Sequence, residues 1–309
     1  MDIFLQQILN GLVVGSIYAL IALGYTMVYG ILGLINFAHG EVVMIGAMVS
    51  ITVINVLLQM NLGLPGVVTI TLATCAAMAA CMLLSFSIEK IAYRPLRKAP
   101  RLAPLITAIG ISIILQQVAM VIWGKRYVVF PSVIKVETID IMGATITNLQ
   151  IVIVVLAIVF MGVLVGIVEK TKLGRAMRAT SQNPEVATLM GVNVNHIISM
   201  TFVLGAALGA IAGVMVAANY DQAHANMGFM IGLKAFTAAV LGGIGNLAGA
   251  VVGGILLGIV ESLGAGYIGP LTGDVLGSNY QDIFAFLMLI AVLVFRPSGL
   301  LGERVAERA

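Results

Sequence analysis

A chain of 309 residues that is 61% hydrophobic and only 9% charged, with a mean hydropathy of +1.11, lies far outside the composition of a soluble domain. The net charge of +3 is modest, and the Lys and Arg residues sit in loops without interleaved aromatics, which excludes a nucleic-acid surface. What remains is a polytopic membrane protein, helical rather than a β-barrel, because its long runs are apolar on every side instead of alternating in segments of about ten residues.

A hydrocarbon core about 30 Å thick needs roughly 20 apolar residues per helix. No Asp, Glu, Lys or Arg occurs from Ile3 to Ala38, Val42 to Ile88, Leu102 to Gly124, Ile141 to Val168, Ile197 to Tyr220 or Ala235 to Val260. Some of these runs are too long for one helix. They divide into predicted helices over 5–29, 40–60, 66–88, 103–123, 149–168, 196–219, 229–244, 248–265 and 281–296. The expectation is an all-α polytopic bundle of about 8–9 transmembrane helices.

The opening MDIFLQQILNGLVV has no basic segment and no small-residue cleavage site after it, so it reads as a retained first helix. GLVVGSIYALIALGYTMVYG then spaces small residues along that helix, which lets backbones approach closely in lipid. INFAHGE, at 35–41, breaks the apolar run with Asn36, His39 and Glu41. Three readings compete: Asn36 and His39 hold a helix break, the three residues line a translocation path with Glu41 facing an ammonium group, or Glu41 or His39 titrates with transport. NLGLPG, at 61–66, supplies Pro and Gly for a turn. Cys75 and Cys81 lie six apart in one apolar helix and point in different directions, so they are read as packing residues.

Orientation follows the basic residues. Lys90, Arg94, Arg97, Lys98 and Arg101 crowd one loop, Lys170, Lys172, Arg175 and Arg178 another, and Arg296, Arg304 and Arg308 the C-terminus. These twelve of the sixteen cations fall on one side, taken as cytoplasmic. The loop at about 125–148 then faces outward, with Glu137 and Asp140 offsetting its cations. Parity puts the N-terminus outside too, unless a re-entrant segment near 30–40 reverses it.

The loop at about 169–195 holds Asn183 as an N-cap, Pro184 at the first helical position, Glu185 in the first turn, then VATLM and a terminating Gly191. A short helix is thus predicted outside the membrane, with Arg175 and Arg178 on its approach. It is either an ordinary capped loop helix or a knob on which another protein pushes. Further on, Lys234 is the one cation placed inside a helix. It snorkels to the interface, or it pairs with Glu41 or a substrate carboxylate. His196 and His224 read as boundary residues. LGGIGNLAGAVVGGILLG, at 241–258, echoes GILGLINFAHGEVVMIGA, at 30–47: a Gly-rich entry, a central Asn (Asn246 against Asn36), then small and apolar residues. Paired interrupted segments mark a transport site in many transporter folds, so Asn246 joins the candidate pathway residues.

The chain carries no phosphate loop, no H-E-x-x-H and no Gly-x-Ser-x-Gly, so neither a nucleotide motor nor an intramembrane enzyme is indicated. Buried acids suited to an ion carrier are few: Glu41, Glu261 and Asp282.

Glu185-Val186-Ala187, three further residues and Gly191 resemble the Glu-Ala-Ala…Gly loop of bacterial ABC importer permeases, with Val186 in place of an Ala. INFAHGE, YRPLR (93–97), GRAMRA (174–179), LGGIGNLAGAVVGG (241–254) and FRPSGLLG (295–302) resemble the branched-chain amino acid (LivH-type) permease family. The resemblance covers nearly the whole chain and implies one transmembrane permease domain over 1–309 in a bacterial inner membrane, with a cytoplasmic C-terminus. It implies a homologous second permease, two ATP-binding cassette subunits docking at Pro184, Glu185, Ala187 and Gly191, and an external binding protein that delivers leucine, isoleucine or valine. No cofactor or metal is expected. The alternatives are a permease for a related solute, such as another amino acid, an amide, urea or a sugar, and an ion-coupled secondary carrier.

Overall fold

The computed structural model describes residues 2–97, 99–100, 102–141, 143–273, 280–296 and 298–302. Lys98, Arg101, Arg304 and Arg308 lie outside the described residues, as does Pro297 of the FRPSGLLG motif.

The elements in order are α1 (Asp2–Leu32), α2 (His39–Gln59), α3 (Gly66–Ile88), a π-turn (Glu89–Tyr93), α4 (Arg94–Leu96) and α5 (Leu102–Trp123). The strands β1 (Val128–Val129), β2 (Thr138–Ile141) and β3 (Ala144–Thr147) follow, then α6 (Asn148–Lys170), α7 (Lys172–Gln182), α8 (Pro184–Leu189) and α9 (Val194–Asn219). β4 (Gln222–Ala223), α10 (Met227–Gly242), α11 (Leu247–Leu271) and α12 (Gln281–Phe295) complete the elements among the described residues. Among the described residues 7 helices are long and apolar enough to cross a membrane, and α10 and α12 are apolar but shorter. The predicted helices are all present, with ends shifted by a few residues.

Two segments depart from the sequence expectation. The third helix does not stop at Ile88 but runs on through the π-turn into α4. The basic stretch before α8 is itself a helix, α7. Thr171 caps it by accepting the Gly174 N–H at 3.1 Å, and Gly174, Met177 and Thr180 form its buried stripe, with polar and basic residues outward.

The chain divides into two compact units. In the unit formed by Met27–Val136 and Gly162–Leu233, helices α2, α3 and α9 pack on one another through Val42, Ala77, Cys81, Ala206, Ala210 and Val214. Small residues set their spacing: a Cβ on Gly46 would lie 2.7 Å from the Ala210 Cα. α3 buries a single stripe, Thr69, Ala73, Ala77, Cys81 and Ser85, and exposes its other apolar faces as a lipid-facing helix does. Cys75 is an exposed free thiol and Cys81 a buried one, donating to the Val42 carbonyl at 3.3 Å. One end of this unit is closed by the antiparallel pairing of β1 with β4, Val128 opposite Ala223.

The unit formed by Met1–Thr26, Glu137–Met161 and Lys234–Ala309 packs α1 against α11 at glycines. A Cβ on Gly11 would meet the Ile259 Cα at 2.6 Å, and one on Gly15 the Ile255 Cα at 2.8 Å. Gln6 bonds to the backbone of β3 twice, accepting the Thr145 N–H at 2.8 Å and donating to its carbonyl at 2.9 Å. The first turn of α1 and the β2–β3 hairpin therefore share one end of the unit.

Candidate functional site

The predicted docking segment is built as its residues dictate. Asn183 Oδ1 accepts the N–H groups of Glu185 and Val186, each at 3.0 Å, and Pro184 occupies the first helical position, where no N–H is needed. Gly191 ends α8 with φ +84°, while the N–H of Val192 reaches back to the Ala187 carbonyl at 3.0 Å. A Cβ at Gly191 would meet nothing within 4 Å, so backbone conformation rather than space requires glycine there. Ala187 is buried beneath the helix and Glu185 is exposed. Leu189 and Met190 are 86% and 80% exposed, an apolar tip outside any membrane-length helix. Arg175 is exposed on α7. Arg178 donates to the carbonyls of Val168 and Glu169, capping the end of α6 and fixing the α6–α7 corner.

INFAHGE forms the break between α1 and α2, where Asn36 Oδ1 accepts the Ala38 N–H at 3.1 Å and the Tyr93 hydroxyl at 2.9 Å. His39 opens α2, buried against α9, where a Cβ on Gly209 would lie 3.4 Å from its Cε1. Glu41 is 0% exposed. Its Oε1 accepts Ser112 Oγ at 3.1 Å and Gln116 Nε2 at 2.7 Å, both on α5. Its Oε2 has no hydrogen-bond partner among the described residues and faces Gly228, whose Cβ would lie 2.5 Å from it. Asn36 and Glu41 are near each other in sequence but serve separate partners, Asn36 the helix break and Tyr93, Glu41 the side chains of α5.

In the other unit, Lys234 Nζ lies 2.6 Å from Glu261 Oε1 and 2.6 Å from Asp282 Oδ1. Tyr18 donates to the same Glu261 oxygen at 3.3 Å. Two of the three acids noted from the sequence are thus the partners of Lys234. Asn246 caps α11 by accepting the Gly249 N–H at 3.0 Å, and donates to the Leu301 carbonyl at 2.8 Å. It ties the α10–α11 turn, with Gly243 and Gly245 at positive φ, to the C-terminal segment.

Sequence reasoning missed a polar cluster at the other end of α3. Glu89, 0% exposed, opens the π-turn and accepts from Arg94 at 3.4 Å, from Arg97, and from Ser199 Oγ at 2.6 Å. Arg97 also donates to Asn195 Oδ1 at 2.6 Å. Burial holds the Arg97 guanidinium below its usual pKa, with Glu89 opposing and Arg94 adding to the shift. YRPLR was visible as a motif and Glu89 is near it in sequence, but Asn195 and Ser199, which complete the cluster, lie about a hundred positions away. The two remaining histidines sit at element boundaries. His196 is exposed on the first turn of α9, and His224 Nδ1 accepts the Asn226 N–H at 3.2 Å, burial pushing its imidazole below the usual pKa.

The family model described as "Branched-chain amino acid transport system / permease component" matches residues 7–293. The chain is 45% identical to the high-affinity branched-chain amino acid transport system permease protein BraD of Pseudomonas aeruginosa, over 99% of this chain and 98% of that one. It is 43% identical to the permease protein LivH of Escherichia coli (strain K12), over 99% and 97%. A partial likeness, 35% identity over 32% of this chain and 31% of the relative, links it to the galactose/methyl galactoside import permease protein MglC of Escherichia coli (strain K12). No solved structure matches the chain.

Proposed function

The chain belongs to the branched-chain amino acid transport permease family, and from that premise we propose that it is the membrane-spanning subunit of an ATP-driven importer of leucine, isoleucine and valine. Residues 1–309 act as one permease domain in a bacterial inner membrane, with the C-terminus cytoplasmic. A second, homologous permease, two ATPase subunits and an extracytoplasmic binding protein complete the machine.

The observation that carries this reading is α8. Pro184, Glu185, Ala187 and Gly191 present a rigid, doubly capped helix whose apolar tip, Leu189 and Met190, stands in water unless a partner covers it. Arg175 and Arg178 flank that surface on α7, Arg175 free to meet an acidic partner and Arg178 holding the corner. When the ATPases close on ATP, a push on α8 passes through Gly191 and the Asn193 cap into α9, and access alternates. Among the pathway candidates, Asn36, His39 and Asn246 sit at helix breaks, while Glu41 and Lys234 hold polarity inside the bundle. A branched aliphatic side chain asks for no particular polar contact from a pore, so selectivity resides in the binding protein.

In proteoliposomes, leucine uptake by the assembled complex requires ATP and the binding protein, and the purified chain alone transports nothing. E185K and G191V lower ATPase association or coupled uptake, whereas G191N, which tolerates positive φ, retains more of both. ATP-independent uptake by the chain alone would overturn the reading in favour of a secondary carrier. The partial likeness to a sugar permease makes competition by sugars and amides the check on cargo.

A further inference from the structure

The buried cluster around Glu89 has no part in the docking surface, yet it joins the docking segment to the rest of its unit. Four residues beyond Gly191, Asn195 accepts from Arg97 at 2.6 Å, and one turn further Ser199 donates to Glu89 at 2.6 Å and accepts from Arg94 at 3.1 Å. Glu89 begins the π-turn and Tyr93 ends it. The Tyr93 hydroxyl donates to Asn36 at 2.9 Å, in the break between α1 and α2, and its ring lies 5.2 Å from that of Phe202 on α9. Polar contacts therefore lead from the start of α9, where Asn195 is exposed, through the buried Ser199 and Glu89 to the π-turn, and the buried Tyr93 at the other end of that turn leads on to a helix break. π-Turns are rare, their wider i→i+5 bonding is a local departure from the α ladder, and they recur at functional sites. A buried carboxylate shared by two guanidiniums and a hydroxyl has one good arrangement, so it moves with its partners or not at all.

We infer that Glu89 is a positioning residue that clamps the first turn of α9 to the π-turn of α3, so that a displacement of α8 reaches α3 and the Asn36 break instead of being absorbed in α9. This rests on the reading of α8 as the docking helix. Without the clamp the ATPases still dock and still hydrolyse ATP, but the stroke is lost between α9 and α3.

The measurement is cargo imported per ATP hydrolysed, by the complete complex in proteoliposomes, for N195A, S199A, S199T and E89Q. In N195A, which removes the contact to Arg97, and in S199A, which removes the hydroxyl that meets Glu89 and Arg94 but leaves both arginines on Glu89, ATPase activity and complex yield stay at wild-type levels while cargo per ATP falls roughly threefold to tenfold. S199T, which keeps the hydroxyl, restores the ratio. E89Q falls further, and if it fails to assemble, N195A and S199A decide the matter. A wild-type ratio in both N195A and S199A overturns the inference and leaves the importer intact. A wild-type complex with no ATP-driven uptake overturns the functional reading and the inference with it.

Discussion

Glu89 and Glu41 are both 0% exposed and both belong to the unit of Met27–Val136 and Gly162–Leu233, but their surroundings differ in kind. Glu89, at the end of α3, is met by two arginines and a hydroxyl. Glu41, inside the bundle, is met by a hydroxyl and an amide, and one of its oxygens has no hydrogen-bond partner among the described residues. A carboxylate with counterions is one member of a charge set, and removing it leaves the others uncompensated. A carboxyl group served only by neutral donors is a shape and two accepted bonds. Burial alone therefore does not say whether an acid in such a chain is needed for its charge.

The largest effect expected is that of E89A. It strands Arg94 and Arg97, and breaking a buried pair in this way costs about 3–5 kcal/mol. The lower end applies here, because the Arg94 side chain is 36% exposed and can turn to water, while that of Arg97 is 17% exposed and cannot do so fully. Thermal unfolding of the detergent-solubilised complex reads it. A loss no larger than that of a neutral replacement at Glu41 would break the comparison.

Next is Q116L, which removes the 2.7 Å donor and leaves Glu41 with Ser112 alone. A buried acceptor deprived of a partner costs about 1–3 kcal/mol. The same unfolding measurement should place Q116L between E89A and E41Q. An unchanged midpoint would mean that the bond to Gln116 contributes nothing to holding α2 and α5 together.

Why one site was legible and the other was not follows from the range of the contacts. The helices could be read because lipid demands about twenty apolar residues at a stretch, and α8 because its caps, Asn183, Pro184 and Gly191, all act within nine positions of chain. Asn36 was readable as the holder of a break, since its first bond goes to Ala38, two residues on. Glu89 was not, because Arg97 is near in sequence while Asn195 and Ser199 come from another helix, and a π-turn leaves no periodic signature. The basic residues Lys172, Arg175 and Arg178 make α7 read as loop, because its buried stripe of Gly174, Met177 and Thr180 is short and small. The pairing of Lys234 with Glu261 and Asp282 was hidden in the same way. Each residue looked isolated in its own apolar run, and only packing brings the three together.

The smallest effect is the sharpest test of the comparison. In E41Q the amide oxygen keeps both accepted bonds, from Ser112 and Gln116, and the amide nitrogen takes the place of an oxygen that makes no hydrogen bond among the described residues. Volume is unchanged, so the close approach of Gly228 to this side chain is kept. Stability should move by less than about 1 kcal/mol, since no bond is removed and no counterion is stranded. ATP-driven uptake should stay within about twofold of wild type, because no cation in the described surroundings depends on a charge at this position. If E41Q folds, assembles and hydrolyses ATP normally but imports nothing, then Glu41 meets the cargo or a proton in another conformation of the cycle, and the likeness of its site to a neutral hydrogen-bonding pocket is a property of this conformation alone.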